Sequence, residues 1–147
     1  MSFIILNVQK DVDKMQGYVL PTDPSDVAVL AGELFLVVVG AVVILFSLLT
    51  WRRNPVLAKE GFLEIIFGFI AFTLHFLFDG LDTIATSSIV YYEAQGLSGL
   101  AASYDALYGT FDFLDGFFAI IGLLLIAIGI LRIATYGKKL WKTTESA

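Results

Sequence analysis

Long apolar runs and short polar interruptions alternate along this chain, and three of the runs, about 27–51, 61–81 and 111–131, are almost free of charge. Each holds the ~20 apolar residues a helix needs to cross ~30 Å of hydrocarbon. The pattern predicts an all-α integral membrane protein, one domain over residues 1–147 with three transmembrane helices. The polar remainder divides into a tail over 1–22, an outer loop over about 85–106 and a second tail over 132–147.

Local signals sharpen the ends. Asp23 suits a helix N-cap, Pro24 the first helical position, and Asp26 the positive end of the helix. Pro55 disfavours helix at Asn54, so Arg52-Arg53-Asn54-Pro55 reads as a tight turn that folds the first two spans into a hairpin. Gly96-Leu97-Ser98-Gly99 marks the outer connection as a flexible loop with room for a short interfacial helix. The N-terminus starts with an apolar run that stops at Leu6 and meets Lys10, Asp11, Asp13 and Lys14, which is unlike a cleavable signal peptide.

Charge orients the spans. Arg52, Arg53, Lys59, Arg132, Lys138, Lys139 and Lys142 fall on one side, against Lys10 and Lys14 on the other. The positive-inside rule then puts the N-terminus outside and the C-terminus in the cytoplasm, with the cell membrane as the location. Trp51 and Trp141 fit the cytoplasmic interface; Tyr91, Tyr92, Tyr104 and Tyr108 fit the outer one. Without cysteine the chain has no disulfides, thiolate metal sites or cysteine nucleophiles. A net charge of −5 disfavours nucleic acid as a partner.

Between Lys59 and Arg132 there is no Lys or Arg, yet the stretch holds Glu60, Glu64, Asp79, Asp82, Glu93, Asp105, Asp112, Asp115 and the only histidine, His75. An acid in a membrane needs a metal or other cation, a proton, a partner's base, or a shallow position near water. Projected at ~100° per residue, Glu64, Ala71, His75 and Asp82 share one face of the second span, with Asp79 close to it. Asp105, Tyr108, Asp112 and Asp115 form a stripe on the third span that continues through Gly122 and Gly129, where another helix can approach closely. The first span adds Glu33, with Gly40 and Ser47 below it. Three such faces turned inward predict a compact bundle. Counted from the basic anchors, Glu33, His75, Asp79, Asp82, Asp112 and Asp115 fall in one shallow outer layer, with Glu64 alone near the cytoplasmic end.

His75 and Asp79 are i,i+4 neighbours and so can touch. Together with Asp112, Asp115 and Glu33 they form a carboxylate–imidazole set of the kind that binds a divalent metal ion. The blander alternatives are acids ending helices at the headgroup layer and a hydrogen-bond network that fixes packing. No serine shares a span with His75, and three helices are too few to enclose a transport path. The expectation is therefore a non-catalytic small subunit of a larger membrane complex, of a respiratory or metal-dependent oxidising kind, whose partners are the lipid bilayer and other membrane subunits. An autonomous ion-binding or sensing module, and an oligomeric small transporter or proton-handling protein, are the alternatives.

Overall fold

The structure, a computed structural model, describes residues 17–54 and 58–145. The tail over 1–16, the Pro55 part of the first turn, and the side chains of Lys139, Trp141 and Lys142 lie outside what it describes. Among the described residues, the fold is built on three long helices: α1 (Pro24–Arg53), α2 (Leu63–Ala94) and α3 (Ser98–Glu145). All three are long and apolar enough to cross a membrane. At 30, 32 and 48 residues they exceed the span that hydrocarbon alone demands.

α1 starts as its sequence predicts. Asp23 is extended, its side chain accepts a 2.9 Å hydrogen bond from the Ser25 N–H, and Pro24 follows at the first helical position. Asn54 closes the other end, its N–H donating to the carbonyls of Thr50 and Trp51. A short π-helical turn, Ala58–Phe62, then leads into α2 through a kink at Glu60 and Gly61. Gly61 has φ +109°, a conformation that only glycine adopts without strain.

The flexible loop expected over about 85–106 is instead helix except at Gln95, Gly96 and Leu97. The serines flanking this short break satisfy their hydroxyls within the helices. Ser87 donates to the Thr83 carbonyl, Ser88 to Ile84 and Ser103 to Gly99, the back-bonding that lets Ser and Thr sit in helix interiors. α2 ends in a Schellman motif, in which Leu97 N–H reaches the Tyr92 carbonyl, Gly96 N–H reaches Glu93, and Gly96 takes φ +71°. The tail expected from 132 onward is likewise helical, the end of α3.

The helices do not turn three faces toward one axis. α2 is central, packed against both neighbours, while α1 and α3 barely meet. Both packings are antiparallel, as Gly40 against Thr73 and Leu30 against Gly80 show for one pair, and Gly61 against Gly129 and Gly68 against Gly122 for the other. The α2–α3 seam is a backbone-to-backbone contact. A Cβ on Gly68 would lie 2.8 Å from the Gly122 oxygen, and one on Gly61 would lie 2.5 Å from the Gly129 oxygen. The small residues of α3 thus meet small residues of α2, the packing that suits helices in lipid. α2 also buries Ile66 and Ala71. A second buried group, Ala85, Ser88, Tyr92 and Ala101, lies where α2 and α3 extend past the apolar spans.

That far end is also closed by residues 17–22, which run as an extended strap along α2. Val19 N–H donates to the Ser88 hydroxyl at 2.9 Å, and the Tyr92 hydroxyl donates to the Gly17 carbonyl at 2.8 Å. Tyr18 meets Tyr104 edge-on and Tyr104 stacks on Tyr92, so the tyrosines expected at an interface form a packed aromatic group. α1, by contrast, leaves most of its apolar side chains exposed away from its α2-facing side.

Candidate functional site

On α1, a helix of Val, Leu, Ile and Phe, the one buried side chain is a carboxylate. Glu33 is only 6% exposed. It packs over Gly80 of α2, where an added Cβ would sit in ordinary contact, 3.4 Å from Glu33 Oε2. The Thr83 hydroxyl is 3.4 Å from both oxygens of Glu33, a long contact for an O–H donor. Asp79, one turn before Thr83, faces the same carboxyl. Two carboxyl groups therefore confront each other between α1 and α2, with a hydroxyl for company and, among the described residues, His75 as the nearby base, itself turned to Asp115.

His75 points the other way. Its Nδ1 pairs with Asp115 Oδ1 of α3 rather than with Asp79, the i,i+4 neighbour that sequence spacing favoured. The reason is geometric. α3 comes close along the glycine seam, which sets Asp115 opposite His75, and Asp79 is drawn toward Glu33 on the other flank of α2. Both partners of the pair are largely covered, and the imidazole clusters with the rings of Phe72 and Phe76, 5.3 and 4.7 Å away. These phenylalanines wall the pair, while Phe78 stacks on Phe118 and Phe67 stays exposed.

Asp82 lies among the carboxylates of Asp112, Asp79 and Asp115. One of its oxygens is covered and has no hydrogen-bond partner. Asp112 itself is exposed on α3. Beyond Asp82 a pocket of about 440 Å³ opens between the strap, the start of α1 and α2, with Asp23, Asp26, Asp82, Thr83 and Ser87 among its lining. Outside the apolar spans, the Asp23 carboxyl at its rim is held below the usual carboxylate range by the hydrogen bonds from the Ser25 hydroxyl and N–H.

The six ionisable groups expected from three helices neighbour one another without meeting at one point. Glu33 faces Asp79, His75 holds Asp115, and Asp82 neighbours Asp112. Among the described residues, no three His, Asp or Glu side chains converge in a way that could hold a metal ion. Glu64 is not alone: Arg132 of α3 donates to its Oε1, while Oε2 is covered and unpartnered. Sequence spacing missed Gly80, Thr83 and Arg132 as members of these groupings. The first two have a signal in hindsight, since Asp79-Gly80-Leu81-Asp82-Thr83 concentrates small and polar residues inside an apolar helix. In comparisons with protein-family models, curated proteins and solved structures, nothing matches this chain.

Proposed function

We propose that this protein is a non-catalytic membrane subunit that works within a larger assembly, and that its acid–imidazole layer exchanges a proton or cation with the side of the membrane that the acidic end faces. The basic end, with Arg52, Arg53, Arg132 and Lys138, is the cytoplasmic one on this reading, and the cell membrane is the location. The observation that carries it is Glu33 buried against Asp79 with no Lys or Arg beside them among the described residues, and with the nearby His75 engaged by Asp115. At low dielectric, repulsion between two such carboxylates is a large cost. A proton, a cation or a partner's basic side chain relieves it, and each of these comes from outside the chain.

The packing favours this over transport by a single chain. The pocket beside Asp82 and Thr83 offers access from the acidic end. Toward the basic end, Gly40 closes on Thr73 and Gly68 on Gly122. A site reached from one side suits binding, sensing or coupling to a neighbour. Isolation from native membranes in mild detergent, followed by intact-complex mass measurement, tests the assembly. A species containing other membrane proteins in fixed ratio is expected. A stable lone monomer that retains the Glu33–Asp79 contact contradicts it.

A further inference from the structure

At the basic end of α1, on the flank away from the acid layer, lies an apolar slot of about 450 Å³ lined by Leu45, Leu48, Leu49, Trp51 and Arg52. Leu45, Leu49 and Arg52 follow at helical spacing, so the apolar floor and the guanidinium share one face of the helix. All five side chains are exposed. Arg52 and its neighbour Arg53 form no ion pair among the described residues, in contrast to Arg132, which is engaged with Glu64. Nor do the Thr50 and Trp51 carbonyls require them, because the Asn54 N–H already serves both at 3.0 and 3.1 Å.

The polarity of the slot runs along the helix, apolar over two turns and then cationic. It lies at the end of the span, where hydrocarbon gives way to headgroups and where a tryptophan is at home. From this we infer that the slot binds an anionic phospholipid, its acyl chain against Leu45, Leu48 and Leu49 and its phosphate on the Arg52 and Arg53 guanidinium groups. Charge complementarity selects the occupant. Guanidinium groups bind the phosphate oxygens of either headgroup in a forked geometry, but a zwitterionic lipid carries its own ammonium beside the phosphate, so two cations favour the headgroup of net negative charge. An apolar partner helix would leave both cations without a counter-ion.

Trp51 makes the test direct. With Trp141→Phe, the only other tryptophan is removed, and Trp51 fluorescence reports what fills the slot. The full chain is reconstituted in bilayers with increasing brominated phosphatidylglycerol or brominated phosphatidylcholine, whose bromines quench a tryptophan in contact. Each basic residue near an anionic surface contributes about 1 kcal/mol, or roughly fivefold in affinity. Preference for the glycerol lipid is therefore expected to be severalfold or more, to fall toward unity in Arg52→Gln/Arg53→Gln, and to persist in Arg52→Lys/Arg53→Lys. In Leu49→Trp, studied by displacement of a spin-labelled anionic lipid, filling the slot is expected to lower occupancy with the charges intact. Equal quenching by the two lipids overturns the inference. So does a preference that survives removal of both arginines, since that locates the site among other basic residues.

Discussion

The glycine seam between α2 and α3 makes a quantitative prediction, because it separates two opposing effects of the same substitution. A Cβ at Gly68 would lie 2.8 Å from the Gly122 oxygen and 2.9 Å from the Ile126 nitrogen, where ordinary contact begins at 3.4 Å. Both atoms are backbone, so no rotamer change relieves them, and the helices must part by about half an ångström or more in Gly68→Ala. Overpacking of this kind costs about 1–3 kcal/mol. At Gly116, also in α3, a Cβ meets nothing within 4 Å. There alanine only removes the conformational freedom of glycine and favours the helix by roughly 0.5–1 kcal/mol. Reversible unfolding in mixed micelles with increasing dodecyl sulfate, followed by circular dichroism, reads both. Gly68→Ala is expected to lower the midpoint, Gly116→Ala to leave it unchanged or raise it, and Gly122→Ala to fall between them, since its nearest contacts are 3.0 Å. Equal midpoints for Gly68→Ala and Gly116→Ala would refute the seam.

Three further outcomes follow from individual contacts. Asp115→Ala removes the only ion-pair partner of His75 among the described residues, and in the same unfolding assay it is expected to cost about 1.5–3 kcal/mol; Asp79→Ala, which leaves that pair intact, should not move the His75 ring resonances in NMR, whereas Asp115→Ala should. Gly96→Ala places a Cβ on a residue at φ +71° and is expected to destabilise by about 1–2 kcal/mol, with amide exchange rising first around Tyr91 to Leu97. The depressed Asp23 carboxyl stabilises α1 fully above its unfolded value of 3.8, and this contribution is lost as pH falls through the lower folded value. Amide exchange in the first turn of α1 should accelerate over that acid range in wild type, and Asp23→Asn should abolish the pH dependence.

The three spans, the Asp23–Pro24 start and the close approach at Gly122 and Gly129 were legible in the sequence because each depends on composition or neighbours within a turn. The extensions of α2 and α3 were not, since Gly96-Leu97-Ser98-Gly99 marks a break without fixing its length, and the hydroxyls of Ser87, Ser88 and Ser103 find their partners in carbonyls four residues back within the helices. The level of the ionisable layer could be counted from the basic anchors, but its pairing could not. Which carboxylate meets His75 depends on the register of α3 against α2, and that register is set by the backbone contact of Gly68 with Gly122. The same register brings Arg132 to Glu64, a pair 68 residues apart. The strap over 17–22 rests on Ser88 and Tyr92, whose side chains are 0% and 1% exposed. Nothing local in the sequence distinguishes those two from exposed interfacial residues.

The central claim is that the Glu33–Asp79 pair holds a proton or cation that the chain itself does not supply. The most direct measurement is infrared difference spectroscopy of the reconstituted protein across a pH titration, repeated with divalent cations removed and restored, in wild type, Glu33→Gln and Asp79→Asn. A carboxylic C=O band that titrates, or a carboxylate band that shifts with the cation, should be present in wild type and lost in both variants. Spectra in which neither band responds in wild type, or in which the response persists unchanged without Glu33 and Asp79, would contradict the account.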